Sequence, residues 1–177
     1  MILRESIKTF AAVVLYAGTA QAENVEIYLV DLLDNIQDGY CIDIARAQGA
    51  NADPDDGLQA HTCYSASGEL MIDQIFDTTK FADGLLYMPE FDVCAQVASN
   101  DGGTTVDLAA CDGSGAQAFV FSGEGTITPA SATDMCLTAT GDTRTGRSDE
   151  NQMKTLALAA CTDDDAGSQT WAVRTTD

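Results

Sequence analysis

The stretch that decides the fold is "TLALAACTDDDAGSQTW", residues 155–171. An alternating run ends in Cys161, an acidic turn follows, and Gln169 stands two residues before Trp171. The same order occurs twice earlier. "TVDLAAC" (105–111) is followed by "AQAF" (116–119), and "GLQAHTC" (57–63) by "DQIF" (73–76). Upstream of each lies another apolar run with a cysteine near its start: "GYCIDIA", "DVCAQVA" and "DMCLTAT". The unit is a strand with a cysteine, a variable loop, a second strand closed by a cysteine, a short loop, then Gln-x-aromatic. Three copies at spacings near 50 residues are a repeat signal.

The periodicity within the units is that of strands. "VDLAAC" and "TLALAAC" alternate, and β-branched or aromatic residues mark "VEIYLV", "AFVFS" and "TWAV". The first half of "VEIYLVDLLDNI" reads as a strand because Val, Ile and Tyr dominate it. Segments rich in Gly, Asn, Asp and Pro separate the strands and supply turns, with longer loops at 45–57 and 140–152. The cysteines of the three units lie 22, 17 and 25 positions apart. Six cysteines permit fifteen disulfide connectivities. The repeat selects Cys41–Cys63, Cys94–Cys111 and Cys136–Cys161, each loop closure contributing on the order of 3 kcal/mol.

The chain has 177 residues. Its first 22 read as a signal peptide: Arg4 and Lys8, a short apolar run, then an "AQA" ending before Glu23. Residues 23–177 then form one domain, with units at about 25–80, 81–124 and 125–177. An exported chain with an even cysteine count is expected to be oxidised, secreted to the cell exterior or the periplasm. No segment has transmembrane length, so membrane insertion is not expected. The formal charge is −20, and the leader's net +1 leaves −21 for the remainder. That charge repels phosphate backbones and excludes nucleic acid as a partner.

Three Q-x-W-like units, each in phase with a cysteine pair, resemble the ricin B-type lectin domain. The match runs from about Val25 to Val173, with Trp relaxed to Phe at 76 and 119. The resemblance implies an all-β β-trefoil of twelve strands in three pseudo-symmetric lobes. It also implies that Gln74/Phe76, Gln117/Phe119 and Gln169/Trp171 serve the core, and that each lobe can hold at most one shallow sugar pocket.

Such a pocket uses an acid two residues after the first cysteine and a polar residue four before the second. A ring lies two before that cysteine, and the residue preceding the motif glutamine assists. The first unit supplies Asp43, Gln59, His61 and Asp73, beside Gln74. A carboxylate accepts from neighbouring sugar hydroxyls, and a ring covers the C–H face. The second unit has Gln96, Asp107, Ala109 and Ala116 at these places; the third has Thr138, Ala157, Ala159 and Ser168. Neither offers a ring. The expectation is one pocket, in the first unit, for a neutral, galactose-like glycan, with acidic sugars repelled by the second carboxylate.

An enzyme is not expected. His61 is the only histidine, the thiols are committed to disulfides, and no nucleophile elbow is present. An Asp43/Asp73 glycosidase pair would need a shielded site rather than a shallow one. No cofactor or metal is expected, because "ADPDDG" and "CTDDDAG" lack calcium-loop spacing. The competing reading is a protein-binding or protease-inhibiting trefoil acting through its long loops.

Overall fold

The computed structural model describes residues 23–46, 48–65 and 71–175. The expected signal peptide therefore lies outside the described residues. Phe76, Phe119 and Trp171, the three motif aromatics, are all buried, with Trp171 among the largest fully enclosed side chains. Around them gather Ile27, Leu29, Tyr40, Ile42, Met88, Leu137 and Leu156 in one core. The indole Nε1 of Trp171 donates to the Leu137 carbonyl at 2.9 Å, so its polar edge is satisfied inside.

The elements are strands, with short 3-10 turns and one turn of α-helix. In chain order the first strands are β1 (Asn24–Leu29), β2 (Tyr40–Ile44), β3 (Leu58–Thr62), β4 (Phe76–Asp77) and β5 (Tyr87–Met88). Next come β6 (Val93–Val97), β7 (Val106–Ala110), β8 (Phe119–Val120), β9 (Glu124–Gly125) and β10 (Thr128–Pro129). The last are β11 (Met135–Thr145), β12 (Gln152–Ala160), the helical turn α1 (Ala166–Gln169) and β13 (Trp171–Arg174). The strand expected in "VEIYLV" is β1. Its antiparallel pairing with β13, Leu29 opposite Trp171, joins the first and last strands of the described residues.

Three hairpins carry the alternating runs: β2–β3, β6–β7 and β11–β12. Disulfides Cys41–Cys63, Cys94–Cys111 and Cys136–Cys161 clip them, with Cα separations of 4.9, 5.1 and 5.0 Å. These are the pairs the repeat selects.

Each motif glutamine straddles the second cysteine of its unit. Gln117 Oε1 accepts from Asp112 N–H and its Nε2 donates to Ala110 C=O, both at 2.9 Å. Gln74 takes Tyr64 N–H at 3.3 Å and gives to Thr62 C=O at 3.1 Å. Gln169 takes Thr162 N–H at 3.2 Å and gives to Ala160 C=O at 2.9 Å. One amide thus replaces the ladder partners that the chain loses where it turns away from the sheet.

The tip of each hairpin rests on the next one. Gly57, at φ +71°, ends the 45–57 loop so close to β7 that a Cβ there would meet the Val106 carbonyl at 2.9 Å. Gly103 N–H donates to Leu158 C=O at 2.8 Å, and Leu158 N–H to Thr104 C=O at 2.9 Å, so the β6–β7 turn sits on β12. The end of β11–β12 sits on β3, with Met153 opposite His61 and Thr155 opposite Gln59. Here the structure departs from the sequence reading. Residues 140–145 of the expected 140–152 loop are strand and the loop shrinks to 146–151, because pairing resumes beyond a bulge at Thr140–Arg144, with Arg144 opposite Met153 and Thr145 opposite Gln152.

Trp171→Ala should cost about 3–5 kcal/mol, the usual range for a buried aromatic truncation. Urea unfolding of the oxidised protein measures it; a loss below about 1 kcal/mol would show that Trp171 is not a central packing element.

Candidate functional site

β2 and β3 lie side by side, with Asp43 opposite Gln59 and Cys41 opposite His61. That register brings the expected residues together. Asp43 Oδ1 accepts from Gln59 Nε2 at 3.1 Å, and Oδ2 from Gln74 Nε2 at 3.3 Å. His61 Nδ1 stands 3.5 Å from Asp43 Oδ2 and 3.2 Å from the Thr62 carbonyl. The Thr62 carbonyl can only accept, so Nδ1 carries the hydrogen and Nε2 is left as an acceptor. Asp73 Oδ2 accepts from Gly49 N–H at 2.7 Å, tying the 45–57 loop to the site, while Oδ1 has no hydrogen-bond partner among the described residues.

The accessibility differs from the sequence expectation of an open, shallow pocket. Asp43, Asp73 and Gln74 are 0 % exposed, His61 2 % and Gln59 5 %. One contributor is the β11–β12 hairpin, which arrives from the third unit and pairs along the edge of β3. Three side chains of the first unit hold it there. Thr62 Oγ1 donates to Glu150 C=O at 2.8 Å and accepts from Gln152 N–H at 2.9 Å. Tyr40 OH donates to Asp34 Oδ1 at 2.9 Å and lies 3.2 Å from Thr143 Oγ1, which itself donates to Asp34. Lys154 Nζ adds an ion pair with Asp34 at 3.4 Å. The Thr143 hydrogen bond is the main reason the Asp34 carboxyl is held down at about 2.

Beside this hairpin a cavity of about 480 Å³ remains. Gln59, His61 and Tyr64 line it from the first unit, Arg46 and Gln48 from the 45–57 loop, and Gly146, Arg147, Asn151 and Met153 from the hairpin. Asp43, Asp73 and Gln74 stand behind this lining and hold it in place. The Tyr64 ring lies 5.5 Å from the imidazole, tilted by 36°. Burial pushes its hydroxyl up to about 12, so it remains a neutral donor. Sequence reasoning missed Tyr64, although an aromatic beside Cys63 was a local signal. The hairpin residues had no local signal.

Burial also sets the charges. It pushes the Asp43 carboxyl well above the usual carboxylate range, an effect that nearby Asp73 reinforces and the Gln59 and Gln74 amides oppose. It pulls His61 below 6.5. The close Asp43–His61 pair is therefore a contact between groups that each resist ionising, not an ion pair. Glu26 is the other fully buried acid: Arg174 Nε reaches it at 3.0 Å and Ser65 N–H at 2.9 Å, a link between the first and last strands.

The ricin-type beta-trefoil lectin domain family matches this chain over residues 30–147 and 82–177. No curated protein matches by sequence. Among solved structures, the β-trefoil lectin of the Vibrio vulnificus hemolysin/cytolysin, with N-acetyl-D-lactosamine bound, is 15 % identical with a TM-score of 0.56. That alignment covers 90 % of this chain and 98 % of the other. A non-toxic homologue of type II RIPs from Momordica charantia (bitter gourd), complexed with α-methyl-D-galactoside, is 19 % identical with a TM-score of 0.55. It covers 87 % of this chain and 48 % of that one. The earthworm R-type lectin C-half with GalNAc is 17 % identical, TM-score 0.51, covering 86 % and 98 %. At these identities the likeness is one of fold: an all-β β-trefoil.

A His61 whose folded-state affinity for protons is depressed stabilises the fold above 6.5, and that contribution fades as pH falls below it. The stability gap between wild type and His61→Gln should therefore shrink from pH 8 to pH 5 in urea unfolding. A constant gap would show that His61 titrates normally in the fold.

Proposed function

The chain belongs to the ricin-type β-trefoil lectin domain family, and on that premise we propose that it is an exported carbohydrate-binding protein with a single sugar pocket in its first unit. The pocket comprises Asp43, Gln59, His61, Asp73 and Gln74. Gln59 and His61 face the ligand, and the two aspartates and Gln74 hold those side chains from behind. The observation that carries the reading is that Gln59 and His61, two residues named for sugar contact, line the 480 Å³ cavity. That volume lies in the range of small-molecule sites. The corresponding places in the other units are Asp107 and Ala109, and Ala157 and Ala159. They supply no ring.

The ligand is a hydroxyl-rich, galactose-like unit of a glycan. Structures of the same fold are complexed with N-acetyl-D-lactosamine, α-methyl-D-galactoside and GalNAc. A His61 Nε2 acceptor, the Gln59 amide and the neutral Tyr64 hydroxyl suit sugar hydroxyls, which both donate and accept. The Tyr64 and His61 rings offer apolar faces to C–H groups. Residues 1–22 act as the export signal and residues 23–177 as the mature domain of three units. Export is consistent with the three disulfides. Among the described residues no helix is long and apolar enough to cross a membrane.

Titration of methyl-galactoside and galactose-terminated glycans against wild type, Gln59→Ala and His61→Ala tests the assignment. Each substitution should weaken binding about tenfold, as expected when a buried polar contact to ligand is removed. Unchanged affinity in both variants would remove the pocket from the first unit. Protease inhibition without any glycan binding would favour an inhibitory trefoil instead.

A further inference from the structure

The charge of the cavity lining runs against the charge of the protein. Between residues 23 and 177 there are 27 Asp and Glu but only six Lys and Arg. Two of those six, Arg46 and Arg147, line this one cavity, and no carboxylate is among its nine lining residues. They come to it from distant parts of the chain. Arg46 comes from the loop after β2, where its backbone holds a left-handed φ of +71°. Arg147 comes from the turn of the β11–β12 hairpin, about a hundred residues downstream. Arg46 Nε lies 3.4 Å from Asp56 Oδ1, while the outer edge of its guanidinium makes no ion pair among the described residues. Arg147 makes none either. Asp149 and Glu150 belong to the same turn but not to the lining, and Glu150 is engaged through its carbonyl by Thr62.

The sequence reading expected acidic sugars to be repelled because it set Asp73 facing the ligand. Asp73 is buried behind the lining and spends Oδ2 on Gly49 N–H, so it is not itself a surface that a ligand touches. Asp43 is equally enclosed, with an amide donor on each oxygen. The lining includes two arginines, whose guanidinium groups can each grip a carboxylate or sulfate through paired N–H donors. With them in the lining are the neutral groups of Gln48, Gln59, His61 and Tyr64.

We propose that the pocket selects an anionic sugar, a galactose-like unit bearing a carboxylate or sulfate, with Arg46 and Arg147 clamping the anionic substituent over the Gln59–His61 floor. The inference rests on the sugar-binding reading above and adds its specificity. Recognition then depends on two parts of the chain that meet only when the third unit's hairpin lies across the first. It also gives an acidic protein a means of binding acidic glycans: a local cationic mouth within a repelling surface.

Calorimetry on the oxidised protein at low ionic strength would use four probes: methyl-galactoside, galacturonic acid, galactose 6-sulfate and inorganic sulfate. The readout is the ratio of acidic-sugar to neutral-sugar affinity. The ratio should be roughly five to ten, the scale of two exposed charge pairs, and fall as salt rises. It should drop to about one in Arg46→Gln/Arg147→Gln, with Arg147→Lys retaining part of it. Galactoside binding with a ratio near one in wild type would overturn the inference and leave the sugar reading standing. No binding of any sugar would overturn both. Inorganic sulfate binding as tightly as galactose 6-sulfate would also overturn it, by showing an anion site that does not read the sugar.

Discussion

Three primary amides hold this fold at its weakest points. After each second cysteine the chain leaves its hairpin, and the carbonyl before the cysteine and the N–H after it both lose ladder partners. Gln74, Gln117 and Gln169 supply an acceptor and a donor from one rigid plane and satisfy both. A buried unpaired backbone group costs about 1–3 kcal/mol, so six such groups would be a large fraction of a domain's net stability. With the backbone fixed there, the aromatic two residues on is delivered to the centre. Glutamine suits the task because its amide both donates and accepts and carries no charge to desolvate.

The same amide ties architecture to site in the first unit. Gln74 Nε2 also reaches Asp43, whose other oxygen takes Gln59. In the third unit Gln169 Nε2 reaches the Thr138 hydroxyl at the matching position. The structural clamp is common to both units; the carboxylate under the cavity is particular to the first. Two enclosed acids beside a histidine suit a role as buried supports for neutral donors and acceptors rather than as the surface a ligand meets.

Cavity and cover come from one asymmetry in length. The first two hairpin tips pack closely on the strands beside them, with Gly57 against β7 and Gly103 against β12. The third hairpin is longer, and it extends past a bulge and pairs along the edge of β3. Its end lines the same cavity as Gln59 and His61 and brings Arg147 into one lining with Arg46. A domain with so few cations thereby has two at one cavity.

The repeat, the disulfide pairing, the core aromatics and the meeting of Asp43, Gln59, His61, Asp73 and Gln74 were legible in the sequence. Each depends on contacts within one unit, fixed by alternation, cysteine spacing and strand register, which are local properties of the chain. Depth, cover and charge at the cavity were not legible. Glycines and acidic residues in 140–152 read as loop because local propensity cannot register the cross-unit bonds from Thr62, Tyr40 and Asp34 that hold the hairpin extended. Nor can spacing show that Arg147 ends beside Arg46, since about a hundred residues separate them. The sequence by itself determined which groups share a hairpin. Only tertiary packing decided which of them remain in reach of a ligand, because burial is set by whatever other part of the chain comes to lie against them.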